Sequence, residues 1–214
     1  GVEPKYKYSA GLEKGAGLVG LERARGQARL LLVEGVLDAL YLAAQGLPAV
    51  AVGGTDFSSR QLQAVEHNRT QELLLALDAD EAGQKGTVKI LEQLRGSTLR
   101  AYVVSLPAGY KDPDELVRAK GLEALQQALG AAESGSRWQA RHICSLHDLS
   151  TDQGRDRALS QALEAWSRIE DGLERRDFLE ALQAATGLSA EDLAYRSYLQ
   201  AQRAAQSHSE AVAK

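Results

Sequence analysis

Carboxylates gather at three places in this 214-residue sequence, each where an apolar run ends. Glu34 closes "RLLLVE" and is followed by Gly35 and then Asp38; Asp78 and Asp80 end "ELLLALDAD"; Asp112 and Asp114 stand in "LPAGYKDPDEL". Residues i and i+2 of an extended segment point to the same side, so Asp78 and Asp80 can converge on one point. Neighbouring strands lie about 4.8 Å apart, so Glu34 reaches the same point if its strand adjoins theirs. Three carboxylates that close repel and raise one another's pKa unless a cation offsets them. Magnesium suits such donors, since it takes oxygen ligands at about 2.0–2.1 Å and is often held by one or two carboxylates together with substrate phosphates.

Some of these residues also have a purely structural use. Asp80 and Glu81 stand where the positive end of a helix dipole favours negative charge. Asp112, Pro113 and Glu115 have the spacing of N-cap, N1 and N3. Glu34 has little such use, because a carboxylate at the end of an apolar strand needs a partner or water.

The elements that must position these groups alternate. "RLLLVE", "PAVAVGG", "ELLLAL" and "RAYVVSL" read as strands, the first as a continuous apolar run of the kind covered on both faces. Between them "LDALYLAAQG", ending at Gly46, "SSRQLQAVEHN", with Ser58 and Gln61 spaced as a capping box, and 81–94 read as helices. A further helix begins near "DPDELVRAKG". Strands alternating with helices of this length predict βαβ units and a mostly parallel central sheet flanked by helices, an α/β class. After about residue 131 the strands stop, and "GRDRALSQALEAWSRI", "RRDFLEALQAATG" and "SAEDLAYRSYLQAQRAAQ" predict an all-α helical subdomain. In an open parallel sheet ligands bind beyond the carboxyl ends of the strands, where all three acidic clusters fall.

Composition narrows the class. Hydrophobic residues make up 44% and charged residues 25%, ordinary for a globular protein. The apolar runs are far too short to cross a bilayer, and no signal peptide opens the sequence. A net charge of −4 argues against a generally basic nucleic-acid coat, yet Lys5, Lys7, Lys14, Arg23, Arg25 and Arg29 make the first 29 residues locally basic. Cys144 stands alone, so no disulfide framework and no cysteine-based zinc site is expected, in keeping with a reducing cytoplasm. His67, His142, His147 and His208 have no metal-ligand spacing, and Trp138 and Trp166 are expected to anchor packing. The sequence has no methionine, position 1 included, which leads to the expectation of a processed product or an excised piece.

Glutamate-glycine after a first strand and Asp-x-Asp after a later one resemble the signature of a TOPRIM domain, here "VEG" and "DAD". Together "PKYKYS", "GLVGLERAR", "LLLVEGVLDAL", "AVGGT", "LDADEAGQKG" and "LPAGYKDPDELV" resemble the bacterial replicative DNA primase family of the DnaG type over about residues 4 to 130. The likeness continues more loosely through "STDQGRDRALSQALEAWSRIEDGLERRDFLEAL". It implies a lead-in segment over 1–28 like the end of the primase N-terminal core, a TOPRIM domain over 29–131 and a helical subdomain over 132–214. Carried over residue by residue, it implies that Glu34, Asp78 and Asp80 form the catalytic and metal centre, with Asp38, Asp112 and Asp114 as surrounding acidic residues. Lys5, Tyr6 and Lys14 match positions along the path of template and primer. Tyr8 stands where the family has asparagine, Ala79 where it has glycine, and Asp56 where it has a small apolar residue.

The implied function is nucleotidyl transfer with Mg²⁺, for which Mn²⁺ is a surrogate. Ribonucleoside triphosphates would be joined into an RNA primer on a single-stranded DNA template, in the bacterial cytoplasm at the nucleoid. The partner helicase would bind through a region not evident in this chain. TOPRIM centres also serve phosphodiester cleavage, so a nuclease is an alternative reading, and a non-catalytic nucleic-acid-binding or scaffold module is another.

Overall fold

Leu30 to Val33 and Leu73 to Leu75 are apolar at every position, so neither face of their strands can be left to water. The computed structural model describes residues 17–53, 57–198 and 202, and in it both runs are central strands. In chain order the first part of the fold is β1 (Arg29–Val33), α1 (Val36–Ala44), β2 (Ala49–Ala51), α2 (Ser59–His67), β3 (Glu72–Leu75), α3 (Glu81–Gln93) and β4 (Arg100–Val103). Then come α4 (Pro113–Lys120), α5 (Leu122–Gly130), β5 (Glu133–Ser134), α6 (Gly135–Ser145), α7 (Asp152–Ser167) and α8 (Gly172–Thr186). The sheet order is β2-β1-β3-β4-β5, with β1 parallel to both β2 and β3, and β3 parallel to β4.

Alternation along the strands sends Leu31, Val33 and Leu74 to one face, where they pack with Ala39 and Leu42 of α1, Leu116 and Val117 of α4, and Leu125 of α5. Leu30, Leu32, Leu73 and Leu75 point the other way and are equally buried. The Ser58–Gln61 capping box forms as its spacing predicts, and the Gln61 amide goes on to donate to the carbonyls of Gly17 and Val52, both at 2.9 Å.

Several elements differ from the sequence expectation. The strands end before the carboxylates: β1 stops at Val33 and β3 at Leu75. The helix expected at "DPDELVRAKG" is α4, which stops at Gly121, where φ is 85°, a conformation that suits glycine; a second helix not expected from the sequence, α5, follows at once. A two-residue strand, β5, forms after residue 131, too short to leave a periodic signal. Helix α6, which precedes the first stretch predicted to be helical after residue 131, is capped by Ser134.

The chain divides into two compact units between Glu133 and Ser134. The second has its own core, in which Ile143 and Cys144 of α6 and Leu159 of α7 join Phe178 and Leu182 of α8. Both tryptophans serve packing there: Trp166 lies under the Arg175 guanidinium at 3.8 Å and donates to the Arg175 carbonyl, while Trp138 stacks on His142. Among the described residues, no helix is long and apolar enough to cross a membrane.

Candidate metal centre

Helix α1 carries the chain from β1 outward to β2, and α2 then returns it to β3 on the opposite side of β1. The direction of winding therefore reverses between β1 and β3, and such a switch point opens a crevice beyond the carboxyl ends of the two strands. Glu34 leaves β1 at that crevice, and the loop holding Asp78 and Asp80 leaves β3 beside it. The adjacency on which the convergence of these carboxylates depends is present.

Asp78 and Asp80 do converge, on a side chain. Lys111 Nζ lies 2.9 Å from Asp78 Oδ2 and 3.6 Å from Asp80 Oδ2. Hydrogen bonding to Asp78 and its charge raise the Lys111 pKa. Asp80 is also the N-cap of α3, its Oδ1 accepting the Gly83 N–H at 3.0 Å, and chiefly that bond holds its pKa below the ordinary value. Gly83 is required where it stands: a Cβ there would fall 2.0 Å from the Asp78 carbonyl oxygen, so the first turn of α3 sits directly on the Asp78 backbone. Glu34 is pushed the other way. Partial burial, then the charges of Asp78 and Asp80, raise its carboxyl above the ordinary value.

The second acidic group is more tightly drawn. Asp38, Asp112 and Asp114 each offer a carboxylate oxygen within 4.8 Å of the others', whereas among the described residues Glu34, Asp78 and Asp80 are not gathered to that spacing. The Lys111 ammonium between the aspartates supplies the counter-charge there. Asp112 caps α4, accepting the Glu115 N–H at 2.7 Å, with Pro113 at N1, so the structural use of "DPDE" is real and coexists with membership of the cluster. The Glu115 carboxylate reaches back to the Lys111 N–H at 2.7 Å, one residue beyond the usual capping-box partner. Arg118 Nε donates to both oxygens of Asp114, at 2.8 and 2.9 Å, and its guanidinium lies 4.2 Å from the Tyr41 ring centroid. Asp38 folds over the backbone of Gly35, where a Cβ would fall 2.3 Å from Asp38 Oδ2.

Sequence reasoning missed Lys111 and Arg118. Arg118 was findable, since it stands four residues after Asp114 on one helix face. Lys111 gave no local signal, because Asp78 belongs to a different loop. Lys5, Tyr6, Lys14 and Asp56 lie outside the described residues. The donor set is all carboxylate oxygen, without nitrogen or sulfur, which fits a hard divalent cation of the Mg²⁺ or Mn²⁺ kind.

Known proteins resemble this chain in sequence and in fold. Residues 31–117 match the family described as Toprim-like, and residues 136–191 match the DnaB-helicase binding domain of primase. The second match corrects the expectation that no helicase-binding region is evident in this chain. The DNA primase of Deinococcus radiodurans is 31% identical over 169 residues, covering 75% of this chain and 29% of that protein. The Escherichia coli primase catalytic core aligns with a TM-score of 0.68 and 29% identity over 88% of this chain and 63% of that one. A DnaG primase catalytic domain bound to single-stranded DNA aligns with a TM-score of 0.67 and 30% identity over 83% of this chain and 58% of that one. Fold and acidic crevice together define a TOPRIM domain. In sequence and fold the chain is similar to the DnaG-type bacterial primases, and it spans under a third of the length of the curated primases it matches.

Proposed function

We propose that this chain supplies the nucleotidyl-transfer centre of a DNA primase, making RNA primers on single-stranded DNA from ribonucleoside triphosphates with Mg²⁺. The observation that carries the proposal is the placement of Glu34 after β1 and of Asp78 and Asp80 after β3, on the two sides of the switch point. In this reading residues 29–131 are the catalytic domain, 1–28 its lead-in and 132–214 a helical subdomain.

Glu34, Asp78 and Asp80 would hold the cation, with Asp38, Asp112 and Asp114 as a neighbouring acidic group able to hold another. A divalent cation there supplies positive charge to phosphate oxygens. The chain's own part is to fix the carboxylates: the Gly83 N–H orients Asp80, the start of α3 packs on Asp78, and Arg118 braces Asp114. Lys5, Tyr6 and Lys14 would line the path of the template. The stretch matched to the helicase-binding family, 136–191, would dock the replicative helicase, with Leu146 and Leu173 as exposed apolar positions.

A primer-synthesis assay on single-stranded DNA with labelled ribonucleotides tests the proposal. The chain should extend primers only with Mg²⁺ or Mn²⁺, and Asp80→Asn should abolish the product while keeping the fold by circular dichroism. Synthesis unchanged in Asp80→Asn, or metal-dependent nicking of the strand in place of synthesis, would contradict it.

A further inference from the structure

Asp78 and Asp80 already share a cation, and that cation is covalently part of the chain. Besides placing its ammonium 2.9 Å and 3.6 Å from the two carboxylates, Lys111 is tied by its main chain on both sides. Its N–H donates to Glu115 Oε2 at 2.7 Å, and its carbonyl accepts the N–H of Ala79, the residue between the two aspartates, at 2.8 Å. The loop after β4 is thus clamped to the centre of the Asp-Ala-Asp loop by backbone. The ammonium sits at the end of a flexible four-carbon stem that is 58% exposed, so it can swing outward without undoing the clamp.

We infer that Lys111 is a displaceable counter-ion: its ammonium occupies the divalent-cation position between Asp78 and Asp80, is turned out when metal enters, and thereby sets the metal affinity of the centre. The inference rests on the metal-centre reading proposed above. An ammonium and a divalent ion repel at such separations and compete for the same pair of carboxylates. Metal entry therefore bears the cost of breaking the lysine–aspartate contacts as well as any repulsion from the ammonium that remains nearby. Because Lys111 and Asp80 are about half exposed, that cost is moderate. Lys111 is in these terms a positioning residue. A purely structural role makes the opposite prediction, since aspartates left without their lysine would splay and bind metal more weakly.

Calorimetric titration of the whole chain with Mn²⁺, comparing wild type with Lys111→Met and Lys111→Arg, decides the matter, with thermal melts to establish folding. Lys111→Met should bind Mn²⁺ about fivefold more tightly than wild type, and Lys111→Arg, which keeps the charge, should stay within about twofold. Lys111→Gln, which keeps a polar end, replaces Lys111→Met if the latter does not fold. Equal or weaker binding by the folded neutral variant, beside a wild type that binds, overturns the inference alone. Binding by none of the proteins overturns the metal-centre reading and the inference with it.

Discussion

Glu34 is costly to keep ionised, being partly withdrawn from water and facing the charges of Asp78 and Asp80. Its raised pKa has a defined sign for stability. Between its ordinary value of 4.5 and its higher value in the fold, the folded state binds the extra proton, so stability falls as pH rises through that window. Replacing the carboxylate by a neutral amide removes the penalty. The metal-free Glu34→Gln variant should therefore melt about 2 °C above wild type at pH 7, with the difference closing below pH 4.5. Thermal melts across that range check it, and a variant less stable than wild type at pH 7 refutes it. At this scale the sequence showed where the carboxylates stand but not what they pair with. The carboxylates could be picked out because each follows an apolar run, and Arg118 could have been found by helical spacing, but nothing local ties Lys111 to Asp78.

At the scale of the element, the loop "DADEAG" does two jobs at once. It ends the approach from β3 and starts α3, with Asp80 capping the helix and Gly83 letting its first turn lie on the Asp78 backbone. A methyl group 2.0 Å from the Asp78 carbonyl must push the helix start away. Gly83→Ala should cost about 1–3 kcal/mol by urea denaturation and weaken Mn²⁺ binding in the same protein, because Asp78 and Asp80 move with the loop. Undiminished stability would show that the loop yields freely. Helix starts were readable here because capping chemistry is local: Ser58 with Gln61, and Asp112 with Pro113, form as their spacing predicts. Helix α5 and the two residues of β5 were not readable, since α5 follows α4 across a single glycine with no side-chain cap and two residues carry no period.

At the scale of the molecule, the site is a product of strand order. The apolar runs declared themselves strands, and their parallel arrangement followed from the helices between them. Which strands adjoin is decided by packing across the sheet. The pairing of β1 with β3 brings Glu34 beside the aspartates, and the pairing of β3 with β4 lets Lys111 and Ala79 join the loops that follow those two strands. The likeness to DnaG-type primases agrees with that order, and the helicase-binding match in the second unit extends beyond what helical periodicity alone could indicate. The proposed nucleotidyl transfer and the role inferred for Lys111 both depend on the crevice between β1 and β3 being a divalent-cation centre. The most direct measurement is a calorimetric titration of the whole chain with Mn²⁺ beside a folded Asp78→Asn/Asp80→Asn double variant. Binding by wild type that is lost in the variant is the predicted result. Equal binding by both would put the ion elsewhere, at Asp38, Asp112 and Asp114 for example, and would contradict the assignment of the centre to Asp78 and Asp80.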